Sequence, residues 1–94
     1  MPWFHVYALQ SLKDRKFYIG LSQNVVNRLR WHNAGQTVST AQRRPFASIF
    51  FESFLNKQDA ERRGRYFKTT KGKTTLKQML RNYLKADTNQ VVPG

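Results

Sequence analysis

Two runs rich in aromatic and β-branched residues, Trp3 to Gln10 and Lys16 to Leu21, stand either side of the short polar stretch Leu12-Lys13-Asp14-Arg15. Runs of that composition joined by so few residues predict a β-hairpin. Period-2 alternation places Trp3, His5, Tyr7 and Leu9 on one face of the first strand, with Phe4, Val6 and Ala8 on the other. In the second strand Tyr18 and Gly20 share a face opposite Phe17, Ile19 and Leu21. With 94 residues in all, one modest core must serve every element, because a domain of this size buries only about 60 to 65% of the surface its unfolded chain exposes. A single domain over residues 1–86 is therefore expected.

After the hairpin, Ser22, Gln23 and Asn24 supply capping chemistry, and Val25, Val26 and Leu29 recur at helical spacing until Gly35 offers a stop. This predicts a helix from about Asn24 to Asn33. Within it Arg28 and His32 are four residues apart, so their side chains lie one turn above the other on the same face. Gly35 to Pro45 reads as a loop in which Arg43 and Arg44 stand beside Ser39, Thr40 and Gln42, a composition suited to following a phosphate backbone. Phe46 to Phe54 is expected to be a third strand. Asn56 to Ala86 reads as two helices broken near Thr70 to Gly72, the last with the apolar stripe Leu76, Met79, Leu80, Tyr83 and Leu84. Residues 87–94 show no periodicity and are expected to form a disordered tail.

Charge narrows the partners. Seventeen Lys and Arg against five Asp and Glu give a formal charge of +12, a self-repelling surface unless a polyanion shares it. Nucleic acid is the expected partner. A solubilising surface or a ribosomal-type structural protein would have the same composition, and charge alone does not separate them. Six cations and no acid lie between Arg62 and Lys73 after Glu61, a run whose default reading is a solvated face and whose second is phosphate binding. The absence of cysteine leaves no disulfide framework and no thiolate metal site, and a reducing cytoplasm is the simplest expectation. The longest apolar cluster, Ala47 to Phe51, is far too short to cross a membrane, and none is expected as a partner.

Chemistry concentrates in the first third of the chain. Val6-Tyr7-Ala8 is followed one hairpin later by Tyr18-Ile19-Gly20, then by Asn24, Arg28, His32 and Asn33. The order continues through Gly35, Arg44-Pro45-Phe46 and Phe51-Glu52 to Ala60, Arg63, Tyr66, Lys68 and Lys71-Gly72-Lys73. Tyr-Ile-Gly alone is a common tripeptide; the ordered set is far more specific. Spanning residues 4–84, it resembles the GIY-YIG nuclease superfamily. Within that superfamily it is similar to the small stand-alone bacterial subgroup related to the N-terminal nuclease domain of the repair excinuclease. His5-Val6-Tyr7 lacks the first glycine of the family's name but keeps its tyrosine.

The resemblance implies an α+β fold, a three-stranded antiparallel sheet flanked by about three helices, in agreement with the pattern read from the residues. It also implies an endonuclease that hydrolyses nucleic-acid phosphodiesters with one divalent ion, Mg2+ or Mn2+. DNA ranks ahead of RNA as substrate, in repair or recombination, with a protein partner left open. Carried over residue by residue, Tyr7 is the general base and Tyr18 its hydrogen-bonded neighbour. Arg28 is the phosphate-binding guanidinium, and His32 either a proton relay or a packing group at the helix end. A tyrosine near its ordinary pKa of about 10 is a poor base at neutral pH, so cations must favour loss of its proton. Lys16, Arg43, Arg44, Arg63, Lys68, Lys71 and Lys73 are the expected nucleic-acid contacts.

One position departs from the family pattern. Members that fit Ala-x-x-x-Glu-x-x-x-Lys on the helix after the third strand use that glutamate for the metal; here the register reads Ala60-Glu61-Arg62-Arg63-Gly64-Arg65-Tyr66-Phe67-Lys68. Gly64 occupies the ligand position, and glycine within a helix costs about 1 kcal/mol relative to alanine. Glu61, three residues earlier, is the candidate substitute, and Glu52 reads as a structural carboxylate. Two functions remain open on these residues: a metal-dependent endonuclease impaired at Gly64, and an inactive nucleic-acid-binding module.

Overall fold

The computed structural model describes residues 2–91 and forms two compact units, Met1–Gly64 and Arg65–Gly94. The first unit is built on an antiparallel sheet of three strands, β1 (Phe4–Ser11), β2 (Phe17–Ser22) and β3 (Phe46–Phe54), in the order β2-β1-β3. The expected hairpin and third strand are both present. The central strand is the most deeply buried: Val6 through Ser11 are all buried, as expected of a strand paired on both sides.

Register decides which side chains meet. Tyr7 lies opposite Gly20 on β2 and Phe51 on β3, and Leu9 lies opposite Tyr18, with an irregularity between Ala8 and Leu9 on the β3 side. Directly opposed residues share a face, so Tyr7, Leu9, Tyr18 and Gly20 are together on one side, as alternation predicts. Helix α1 (Val25–Asn33) covers that side, where Tyr7, Leu9 and Phe46 form a buried cluster with Tyr18, Val25 and Leu29 packed against it. Asn24 caps α1, its side-chain oxygen accepting from the Asn27 N–H at 3.0 Å. Gly35 ends it at φ +76, a conformation that costs glycine nothing.

The hairpin turn is tied down from within. The Ser11 hydroxyl accepts from the N–H groups of Lys13 and Asp14, both at 3.1 Å, and donates to the Arg43 carbonyl at 2.6 Å. The Asp14 carboxylate accepts from Arg43 Nε at 2.8 Å. That hydrogen bond, with one from the Lys16 N–H, holds its carboxyl down at about 2.

Three expectations change. The stretch read as a loop contains a four-residue helix, α2 (Val38–Ala41). Among the described residues the helices number five rather than about three, since α3 (Lys57–Lys68), α4 (Thr70–Met79) and α5 (Arg81–Val91) come after β3 along the chain. Finally, the chain breaks at Thr69 and again at Leu80, so Gly72 lies inside α4 and the apolar stripe is divided between two helices. The tail expected from residue 87 overlaps the end of α5, and residues 92–94 lie outside the described residues.

In the second unit, Gly72 is there for contact rather than for breaking a helix. A Cβ at this position would overlap the Tyr66 carbonyl oxygen and come within 2.9 Å of Phe67 Cα. Only glycine lets these two backbone segments approach so closely. Thr69 secures the junction, accepting from the Gly72 N–H at 3.0 Å and donating to the Tyr66 carbonyl at 2.6 Å.

Candidate active site

Tyr7, Tyr18, Arg28 and His32 come together on the α1 side of the sheet. His32 is almost wholly buried, and its ring centroid lies 4.6 Å from that of Tyr18 and 6.4 Å from that of Tyr7. The Tyr7 hydroxyl and His32 Nε2 are 3.3 Å apart. On the far side of the imidazole, Nδ1 is 2.9 Å from the Thr40 hydroxyl, which in turn lies 3.4 Å from the Thr37 carbonyl. Both imidazole nitrogens thus face a hydroxyl, Tyr7 on Nε2 and Thr40 on Nδ1, and each hydroxyl can donate or accept as the tautomer requires.

Electrostatics keep both groups neutral at rest. Burial pushes the Tyr7 hydroxyl up to about 12, Tyr18 adds to the push, and the Arg28 guanidinium pulls only part of the way back. Burial, then Arg28, lowers His32 below its ordinary 6.5. Both shifts favour leaving the proton on Tyr7 while the site is empty.

The lowered His32 pKa also has a consequence for stability. A histidine held neutral in the fold must take up a proton below 6.5 in the unfolded chain before it does so in the native one. Its contribution is therefore intact above the ordinary value and lost as pH falls through the native one. Thermal unfolding followed by circular dichroism should show the midpoint dropping as the buffer is taken from neutral into the acid range. The drop should be smaller in His32→Gln. Equal acid sensitivity of the two proteins would remove His32 from this role.

Gly20 explains how Tyr7 reaches the site. A Cβ at Gly20 would overlap the Cζ and hydroxyl of Tyr7, whose ring therefore lies across the bare backbone of its partner strand. The glycine of Tyr18-Ile19-Gly20 is thus a requirement of Tyr7's position. Neither this nor the part played by Thr40 is evident from residue type, since both depend on pairing across the fold.

The donors present do not fit a divalent ion. Gly64 lies on α3 with no carboxylate to offer, and among the described residues no group of three or more His, Asp or Glu is placed to hold a metal. Asp14 is paired with Arg43, Glu52 with Arg63 through two bonds of 2.7 and 3.2 Å, and Asp59 with Arg62. Glu61 stands one turn before Gly64. A side chain at position 64 would have room, for a Cβ there meets nothing nearer than Val6 Cγ1 at 3.9 Å.

The expected nucleic-acid contacts are placed as follows. In the first unit Lys16 and Arg44 are exposed, Arg43 is held by Asp14, and Arg63 is engaged by Glu52. In the second unit Lys68, Lys71 and Lys73 are all exposed. No helix among the described residues is long and apolar enough to cross a membrane.

Comparison with known proteins agrees with this geometry. A UPF0213 protein of Pediococcus pentosaceus is 36% identical over 80 residues, covering 84% of this chain and 83% of its own. A second UPF0213 protein, of Staphylococcus haemolyticus, is 35% identical over 74 residues, covering 78% and 90%. The solution NMR structure of a UPF0213 protein of Bacillus halodurans matches with a TM-score of 0.51 and 28% identity, over 82% of this chain and 84% of that one. The family model for the GIY-YIG catalytic domain matches residues 3–78. With the sheet order, the tyrosine pair and the Arg28–His32 helix in the same stretch, the chain belongs to the GIY-YIG catalytic-domain family.

Proposed function

We propose that this protein is a nucleic-acid-binding member of the family, in which the proton-transfer and phosphate-contacting half of a phosphodiesterase site is kept and the metal half is missing. Gly64 carries the reading: it stands where the metal carboxylate is expected. Two further observations support it. The charge of +12 favours a polyanion, and among the described residues no group of three or more His, Asp or Glu is placed to hold a metal. Arg28 would take non-bridging phosphate oxygens through its planar fork. Tyr7 would be the group facing an attacking water, with His32 accepting the proton Tyr7 gives up. DNA is the proposed substrate class ahead of RNA. Lys16, Arg44, Lys68, Lys71 and Lys73 would add contacts to its backbone.

The test combines binding and cleavage on labelled single-stranded, duplex and branched DNA. Binding should be salt-sensitive, and Arg28→Ala should weaken it about tenfold, the scale of one lost hydrogen bond to a charged group. The natural chain should leave all three substrates uncut with Mg2+ or Mn2+. Cutting by the natural chain that disappears in Glu61→Ala would overturn the reading and make Glu61 a relocated ligand.

A further inference from the structure

We propose that Trp31 is a stacking platform for an unpaired nucleobase, placed so that the phosphate attached to that nucleotide falls to Arg28. The inference rests on the nucleic-acid reading above and adds to it a substrate feature: bases free of a partner strand, which duplex DNA does not present.

Trp31 is 46% exposed, in a unit that buries Tyr7 and Leu9 almost completely. Exposure alone does not single it out, since Trp3 is 47% exposed and Phe51 58%. Its position is nevertheless fixed. The indole Nε1–H donates to the Thr37 hydroxyl at 2.8 Å, and the Arg28 guanidinium carbon lies 5.2 Å from the ring centroid. The side chain is therefore held on one edge by a hydrogen bond and over one face by a cation, a contact favoured by the ring quadrupole. A ring already immobilised loses little rotamer freedom when a ligand settles on it. Val38, the residue after Thr37, is 92% exposed.

The chemistry of the neighbours selects the occupant. An apolar partner protein would have to desolvate Arg28, whose charge faces the ring it would cover. A nucleotide does not, because its base takes the aromatic surface while its phosphate answers the guanidinium. Stacking on a ring does not depend on base identity, since every base has a π-face, so preference for single strands without sequence preference is the expected signature.

The experiment is a binding titration with two probes, a short oligothymidylate and an abasic oligonucleotide of the same length and charge. Affinity is read from the anisotropy of end-labelled probes, and stacking from indole fluorescence in a Trp3→Phe background, where the signal comes from Trp31 alone. Oligothymidylate should quench that signal. Trp31→Ala should weaken oligothymidylate binding about tenfold while leaving the abasic probe unchanged, and Trp31→Phe should keep most of the affinity. Unquenched fluorescence and unchanged affinity in Trp31→Ala, with both probes still bound, would overturn the platform and leave the nucleic-acid reading standing. Failure of the natural chain to bind either probe at low salt would overturn that reading itself, and the platform with it. Because Trp31 lies at the surface, unaltered circular dichroism of both variants should accompany these results.

Discussion

Gly64→Glu is expected to nick DNA when Mg2+ or Mn2+ is added, where the proposed function has the natural chain bind it uncut. The gain should be on the order of a thousandfold over the natural chain, the scale of the several kcal/mol a bound cation contributes at a phosphoryl transition state. Room is available, because a Cβ at position 64 makes only an ordinary contact with Val6. The replacement should also stabilise α3 by about 1 kcal/mol, glutamate being the better helix former. Gly64→Ala separates the two effects: it should raise the thermal midpoint and cut nothing. Tyr7→Phe in the Gly64→Glu background should abolish cutting without abolishing binding. A Gly64→Glu protein that is more stable, binds DNA and remains inert with either metal would show that the site lacks more than one ligand.

Gly20→Ala should be the most damaging single methyl in the first unit. The added Cβ overlaps the end of the Tyr7 ring, and that ring, only 2% exposed, is packed with Leu9 and Phe46 and has nowhere to withdraw. Overpacking of this kind costs about 1 to 3 kcal/mol, which in a domain of this length lowers the melting temperature by roughly 5 to 20 °C. The Tyr7 hydroxyl should also leave His32, so in the Gly64→Glu background cutting should fall about a hundredfold, the usual worth of a positioned proton-transfer group. Tyr7→Leu removes the ring tip and supplies the control. If the account is right, Gly20→Ala costs much less stability in that background than alone. Additive losses would mean that the methyl acts elsewhere.

The parts of this site visible in the sequence are those governed by local rules. Alternation places Tyr7 and Tyr18 on a common face, and the observed register agrees, with Gly20 opposite Tyr7 and Tyr18 opposite Leu9. Helical spacing puts Arg28 and His32 on one side of α1, and position 64 can be read from its distance to Ala60 and Lys68. What escapes depends on contacts between distant residues or on competing local signals. Val38–Ala41 is only four residues long, its N-cap Thr37 makes no side-chain capping bond, and its Ser and Thr content belongs equally to a loop. Gly72 reads as a breaker because residue type shows glycine's backbone freedom and not the Tyr66 carbonyl packed against it. The Thr40 hydroxyl that meets His32 Nδ1 is eight residues away and in a different helix.

Thr37 is the residue where these parts meet. Its hydroxyl receives the Trp31 indole N–H, and its carbonyl lies 3.4 Å from the Thr40 hydroxyl that meets His32 Nδ1. Any event that repositions this one residue is therefore felt at both ends of a line of hydrogen bonds. Linkage makes the influence mutual: whatever occupancy of the indole does to the proton affinity of His32, protonation of His32 does to the affinity of the indole for its occupant, by the same factor. Through Thr37 the surface aromatic and the buried imidazole share one line of contacts.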